Sequence, residues 1–276
     1  KLVTGIRSEK VDYEYETNIT PGTKGRIQVA PNRNDDFTEF SPKLAINHKI
    51  NDDLAIFANF SRGNRAPQTT DLYRIQSKQI PGGAKSEKLD SFEIGLRGNF
   101  SIFNLELVGF NMQKENYFFR DSQGFNVENG VTKHNGIEFN YYKAFGDNFE
   151  ISGSLSFADH EYDFNHSPNK IVNGNTIDSA PKELANTRFA YLTSSGGKFE
   201  LEWIRVGDYP INESNAHTYE GHDIFNLRLK GDLTSNTSIG LTVRNLSDER
   251  YATRADYAFG SYRYFVGNER EFYLSL

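Results

Sequence analysis

Apolar and polar side chains alternate along most of the chain. In Ser91–Gly98, Phe92, Ile94 and Leu96 share one parity, while Glu93 and Arg97 take the other. Phe149, Ile151, Leu155 and Phe157 interleave with Glu150, Ser152, Ser154 and Ser156, and Phe199, Leu201 and Trp203 with Glu200 and Glu202. Phe225, Leu227 and Leu229 alternate with Asn226, Arg228 and Lys230, and Ile239, Leu241 and Val243 with Gly240, Thr242 and Arg244. Successive side chains of a strand point to opposite faces, so every such run has one apolar and one polar side. Helical i, i+3, i+4 spacing is not sustained anywhere. The pattern predicts an all-β chain of about twelve strands, near 2–16, 38–50, 53–62, 88–99, 103–118, 132–145, 148–163, 185–194, 198–208, 221–231, 237–246 and 268–276.

Alternation cannot say which face is inside, but the connections can. Short links (Asn51-Asp52, Phe100-Ser101, Gly146-Asp147, Ser195-Gly196-Gly197 and 232–236) take turns with long ones near 17–37, 63–87, 119–131, 164–184, 209–220 and 247–267. Seven of the eight prolines fall in long links, and Pro42 is placed near a strand end. Short turns at one rim and long loops at the other are the plan of an antiparallel up-and-down transmembrane β-barrel. A Greek-key sandwich mixes its connections. Aromatic residues near the strand ends (Tyr117, Phe118, Phe119, Tyr141, Tyr142, Tyr162, Phe164, Tyr209) suit interfacial girdles, although aromatics also favour strands in general.

Composition is consistent with that plan. A mean hydropathy of −0.65 and a net charge of −6 describe a polar, mildly acidic chain. A nucleic-acid binder would normally show a basic face. No apolar run approaches the ~18 residues of a membrane helix, yet alternating barrel strands keep hydropathy low while still crossing a bilayer. The N-terminal residues lack an apolar signal-peptide core and already alternate. With no Cys, neither disulfides nor thiolate metal sites are available. Glu93, Arg97, Glu106, Glu138, Glu150, Glu200, Glu202, Arg228, Arg244 and Glu271 share the polar face by parity. So many charges fit a wide barrel holding water and polar protein better than a narrow packed one.

Several segments, in order, resemble the TonB-dependent receptors of bacterial outer membranes. Ser61–Tyr73, SRGNRAPQTTDLY, is similar to their S-x-G-F-R-A-P…E-L-Y segment, with Asn64 for Phe and Asp71 for Glu. EKLDSFEIGLRG resembles the next strand, HNGIEFN the N-x-G-[IV]-E strand, and 179–192 the segment where a proline precedes a crossing strand. VRNLSDERY looks like V-x-N-L-x-D-x-x-Y, and 263–276 like the closing strand, with Val266 and Glu269 for the usual prolines. The resemblance implies that residues 1–276 are one unit, the C-terminal part of a barrel of about 22 strands, forming an open curved sheet in isolation. It also implies a globular plug and a TonB box, neither with a counterpart in these residues. The implied function is TonB-driven uptake of a scarce nutrient, foremost a ferric siderophore or other iron chelate. Implied partners are TonB, that ligand and outer-membrane lipid, with no nucleic acid and no cofactor. Leu276 has the parity of Phe272 and Leu274 where an aromatic end is usual, so a few further residues are expected. A passive porin-like channel and a soluble β-sandwich binding module are the competing classes.

Candidate chemistry is confined to the long links. Arg65, Tyr73 and Arg74 in one, and Arg254, Tyr257 and Arg263 in another, form the expected extracellular ligand vestibule, flanked by Arg62, Arg250, Tyr251, Tyr262 and Tyr264. Guanidinium forks bind carboxylate or catecholate oxygens, and phenols stack or donate; ordinary loop–loop ion pairing is an equally good account of any single one. His160, His166, His217 and His222 lie near Asp159, Asp163 and Asp223 without ligand spacing, so no metal site is assigned. No serine sits in a G-x-S-x-G elbow, and no catalytic constellation stands out. The one-sided apolar face generates the first prediction. The refolded chain should stay in solution only with detergent, and a cooperative melt of a soluble monomer in plain buffer would refute the membrane reading.

Overall fold

Twelve antiparallel strands, one for each predicted run, join in sequence order into a single open sheet in the computed structural model, which describes all residues except Arg74, Ser77 and Lys78. We number them β1 (Leu2–Tyr15), β2 (Arg33–Lys49), β3 (Leu54–Arg65), β4 (Glu87–Phe100), β5 (Phe103–Arg120), β6 (Asn126–Phe145), β7 (Phe149–Tyr162), β8 (Glu183–Leu192), β9 (Lys198–Val206), β10 (His222–Thr234), β11 (Thr237–Arg244) and β12 (Glu271–Ser275). Each pairs only with its sequence neighbours, so the sheet is a meander with β1 and β12 as edges. Two packed sheets with crossed connections, as in a sandwich, are not formed by the described residues.

Register puts the two parity classes on two faces. Ala58, Ile94, Gly109, Ile137 and Phe157 stand side by side across β3 to β7. Ile94, Ile137 and Phe157 are each more than half exposed. An apolar row this open is stable only beside an apolar medium. On the other face the charges meet partners: Arg97 with Glu106 at 2.6 Å, and Arg228 with Glu200 at 2.8 Å and Glu202 at 2.7 Å. Glu202, buried, also accepts from Asn186, Arg188 and Asn226. A buried carboxylate needs such multiple donors to offset its lost hydration. Two glycines of this inner face are covered by a neighbouring ring, Gly95 by Phe57 and Gly136 by Phe110, the aromatic rescue of a strand glycine.

The outer limit of the apolar band can be followed strand by strand. On β3–β4 the Arg62–Asp90 pair, at 2.6 Å, lies just above Phe60 and Phe92. On β5–β7 the limit falls between Asn111, Asn135 and Asp159 above and Gly109, Ile137 and Phe157 below. On β9–β10 the Arg205–Asp223 pair, at 3.0 Å, lies above Trp203 and Phe225, and the Trp203 indole N–H donates to Asp223 at 2.8 Å. From Phe60 on β3 to Phe225 on β10 the limit descends six residues over seven strand-to-strand steps. At ~3.3 Å per residue and ~4.8 Å per strand, a level membrane surface then requires a strand tilt of about 30°. That approaches the tilt of transmembrane barrels. The sequence therefore carries the slope of the strands against the bilayer.

Several expectations are corrected. Pro42 sits inside β2, opposite Ile6 of β1, not near a strand end. The β2–β3 ladder starts only at Lys43–Ser61, so above Pro42 these two strands part. Proline has no N–H to give, and a ladder that stops beside it asks for none. Asn64 bridges the gap, its amide donating to the Phe40 carbonyl at 2.8 Å and to the Ser41 hydroxyl at 3.0 Å. The long link at 119–131 shrinks to 121–125 because β5 and β6 extend beyond the apolar band, where water is acceptable on both faces. Tyr162 and Tyr209 are buried among loops and are not girdle residues. The link 247–267 holds a second hairpin, Ala252–Ala258 with Ser261–Val266.

The V-x-N-L segment acts as a corner clamp. Asn245, with φ of 50°, donates its backbone N–H to Asn226 and its side-chain amide to the carbonyls of Glu249 and Asn268. Its side-chain oxygen accepts from the Glu249 N–H at 2.9 Å. One amide thus ties the exit of β11 to β10 and to the entry of β12. Because these 276 residues hold no cysteine, a single cysteine introduced among them can carry a label in a receptor freed of any cysteine elsewhere. Nitroxides at Ile94, Ile137 or Phe157 of the receptor in bilayers should be reached by lipid-soluble oxygen, and those at Glu93, Glu138 or Ser156 by water-soluble relaxants. Equal accessibility at both parities would refute the two-face assignment.

Candidate functional site

The largest fully buried apolar side chains, Tyr162, Leu72, Ile75, Ile171, Ile211 and Val127, lie in the outer loops or at the strand ends entering them. The sheet faces lipid on one side, so a packed core can form only where chain folds over chain. Among the described residues two such cores form. Leu72, Tyr73 and Ala84 pack with Tyr13, Tyr15, Phe37 and Phe118, placing the 66–86 loop against β1, β2 and β5. Tyr209, Ile211, Ala252 and Ala255 pack with Val206, Tyr219 and Tyr257, holding the 207–221 loop against the second hairpin.

Tyr73 belongs to the first core, and Arg65 stands beside it at the end of β3, half-exposed. Arg65 lies opposite Glu87 in register and binds it at 3.0 Å, with Asp71 at 3.9 Å. Glu87 also accepts from Lys114 at 3.1 Å and from the Phe118 N–H at 3.0 Å. Two of the recognised segments, SRGNRAP and EKLDSFEIG, are therefore clamped to each other through these residues. Asp71 caps the short helix Thr69–Leu72 by accepting the Gln68 N–H at 3.0 Å. Tyr73 stacks on Tyr15 with centroids 4.5 Å apart and donates to Asp35 at 2.8 Å. Burial, then that bond to an anion, pushes its phenol up to about 12. Asp35 is gripped in turn by Arg33, which also donates to the Pro81 carbonyl. Arg74, the third member of this predicted group, lies outside the described residues.

The second group sits on the hairpin. Asp256, buried, receives Arg254 at 3.0 Å and also pairs with Arg263. Arg254 lies over the Phe265 ring at 5.3 Å. Tyr257 stacks on His217 at 3.8 Å, and His217 Nδ1 is 2.8 Å from the Tyr262 hydroxyl. Tyr262 and Tyr264 run parallel, both more than half exposed. No hydrogen bond, ion pair or ring contact between described residues joins this group to Arg65 and Tyr73. Of the flanking residues, Arg62 points outward in its pair with Asp90, and Tyr251 packs on His222 at the strand corner.

Pattern reading missed Glu213, which ties three loops together. Its carboxylate accepts from the Ser122 hydroxyl at 2.7 Å, and its carbonyl from Asn175 at 3.2 Å. Asn215 exchanges hydrogen bonds with the Thr176 backbone at 2.7 and 2.8 Å, and Ser179 N–H reaches the Pro210 carbonyl. The hairpin joins through Tyr257 N–H to Ile211 and Phe259 N–H to Ser122. Burial, reinforced by nearby Asp178, raises the Glu213 carboxyl above its ordinary range against the opposing Ser122 bonds. In the sequence, Glu213 within PINESNAH resembles any solvated loop acid. Among the described residues no group of three or more His, Asp or Glu converges as for a metal ion. The hairpin exposes guanidinium and phenol groups beside the His217 imidazole of the neighbouring loop.

A family model described as TonB dependent receptor-like, beta-barrel, matches residues 1–246. The chain is 24% identical over 272 residues to the probable TonB-dependent siderophore receptor PiuA of Acinetobacter baumannii, and 19% identical over 263 residues to the metal-pseudopaline receptor CntO of Pseudomonas aeruginosa. These alignments cover 92% and 91% of the chain, which spans 35% of the length of either relative. The PiuA crystal structure matches with a TM-score of 0.77 over 99% of this chain and 40% of that one, at 17% identity. A copper transporter, OprC, matches at 0.79 over 99% and 43%, at 16% identity. The sheet therefore has the shape of a barrel wall.

A carboxyl raised by burial adds its full stability below the ordinary glutamate range and loses it as pH rises through the folded-state value. Loop segments around Ser122 and Glu213 should therefore exchange amide hydrogens faster at pH 7.5 than at pH 5, after correction for intrinsic rates. Glu213→Gln keeps an acceptor without the charge and should abolish most of that difference. Mass-spectrometric exchange on the receptor checks this, and an unchanged pH dependence in the variant would exclude Glu213 as its source.

Proposed function

We propose, from the premise that this chain belongs to the TonB-dependent receptor β-barrel family, that the receptor containing it takes up a ferric siderophore or related iron chelate. Barrels of this family sit in the bacterial outer membrane, and the sloping apolar band described above is the surface they present to lipid. In this reading TonB supplies the work through parts of the receptor outside these residues, and no catalytic step is involved.

The observation that carries the ligand reading is the charge and exposure of the second hairpin. Arg254 and Arg263 share one carboxylate, Asp256, so this cluster of three keeps a positive charge. Their side chains are 61% and 47% exposed, beside the open rings of Tyr262 and Tyr264. Such a rim suits an anionic, oxygen-rich chelate, because guanidinium forks match planar oxygen pairs and phenols stack or donate. Arg65 and Tyr73 serve this surface indirectly, by fixing the 66–86 loop through Glu87 and Asp35. The names of PiuA, CntO and OprC speak of a siderophore, a metal-pseudopaline and copper. The copper in OprC's name supports a second reading, in which the metal is not iron.

Charge-assisted contacts are worth roughly 1.5–3 kcal/mol, so Arg254→Ala or Arg263→Ala should weaken chelate binding by about tenfold or more. Rim contacts made through water would change it far less. Titration of the full-length receptor with ferric chelates, for each variant and for Arg65→Ala at two salt concentrations, reads this directly. Unchanged affinity in all three variants would remove these arginines from the site. Uptake of an uncharged nutrient would overturn the chelate reading, and uptake of a chelate only with another metal would favour the second.

A further inference from the structure

The ladder sets the chain's one methionine and two of its histidines in a single row. Met112 of β5 lies opposite His134 of β6, and His134 lies opposite His160 of β7. Their parity is that of Glu138 and Ser156, so all three belong to the inner face, just beyond the outer limit of the apolar band. The two rings meet nitrogen to nitrogen, with His134 Nδ1 2.9 Å from His160 Nδ1. Such a pair holds one proton, which one ring donates and the other accepts. On the far side of the His134 ring, Nε2 is 3.0 Å from the Thr132 hydroxyl. With Nε2–H donating to that oxygen, the Nδ1 lone pair is the one turned toward His160. Thr132 and Tyr162, opposite each other, form the next step outward and are each 1% exposed. Met112 and both rings are half-buried.

We propose that Met112, His134 and His160 form a copper(I) site on the inner face of the wall. The ion takes the place of the proton between the rings, since metal–imidazole bonds of about 2.0 Å reach both nitrogens across their 2.9 Å separation. His160 exchanges its Nδ1 proton for one on Nε2 through solvent, so both rings bind as neutral imidazoles. A cross-strand neighbour stands about 5 Å away at Cβ, within reach of a thioether carried on three rotatable bonds. The Thr132 hydroxyl fixes the His134 ring through its other nitrogen, as partners of metal-bound histidines do. Imidazole suits several transition metals, and the thioether narrows the choice to copper(I). Among the described residues no Asp or Glu joins the two rings in a group of three, so the set lacks the oxygen ligands that hard dications prefer. The inference stands whichever nutrient is carried, because these side chains bind the bare ion.

Titration of the full-length receptor with copper tests this, with ascorbate keeping the metal reduced and a coloured copper(I) chelator competing for it. The rest of the receptor is common to every sample, so differences between variants read this site alone. His134→Gln and His160→Gln should each bind one copper(I) fewer than the unaltered receptor. His48→Gln, at an exposed position near the other end of β2, should bind the same number. Thr132→Val should weaken the site by about tenfold or more, the usual effect of losing such a partner. Met112→Leu should remove a sulfur ligand from the copper X-ray absorption spectrum. Ferric-chelate affinity, measured alongside, should not change, which keeps this test apart from that of the nutrient. Heat-modifiable migration on gels confirms that each variant is folded. Unchanged copper stoichiometry in both folded histidine variants, equal loss in His48→Gln, or a spectrum that Met112→Leu does not alter would each overturn the proposal.

Discussion

In hydrocarbon a peptide group can bond only to another peptide group, and this constraint organises the whole chain. Every strand of the wall satisfies its neighbours along a continuous ladder, from β1 to β12. Since the ladder, and no buried core, joins the wall, its side chains are free to serve two solvents. One parity faces lipid and the other faces a polar interior, where Glu202 gathers four donors. The mean hydropathy of −0.65 is the average of these two surfaces.

Above the apolar band the physical problem changes. There water is available, strands can lengthen without greasy faces, and loops can fold on one another. The protein's packed side chains are concentrated there, around Leu72 and Tyr73 and around Tyr209 and Ile211. Buried polar groups accompany them, several in pairs: Tyr73 with Asp35, Tyr162 with Asp178, Glu213 with Ser122. The hairpin at 252–266 is packed against this layer through Ala252, Ala255 and Tyr257, although its outer residues remain widely exposed.

Period-two alternation made the wall legible, because each strand has a different medium on each side. All twelve strands were found that way, and the polar face read by parity agrees with the ion pairs of Arg97, Arg228 and Arg244. The hairpin at 252–266 escaped for a specific reason. A register shift between Ala252 and Arg254 breaks its parity, and its inward residues are the small Ala252, Ala255 and Ala258. Pro42 was misplaced because proline inside a strand is acceptable only where a ladder ends, and ladder ends are not written in composition. The arginines were found as residue types, but their partners were not. Glu87 lies 22 positions from Arg65, and only the pairing of β3 with β4 brings them together.

The parting of β2 and β3 above Pro42 joins the wall by a different principle. Below it the two strands are held by backbone groups, which are the same whatever side chains they carry. Above it they are held by Asn64, by the Tyr13 hydroxyl on Pro67, and by the Tyr73 core. A substitution in the wall that keeps its polarity leaves the first kind of joint intact. The second kind depends on the identity of a few residues, so its outline is open to change by single mutations. The mouth of the receptor can therefore diversify at this seam while the membrane-spanning sheet beneath it stays the same.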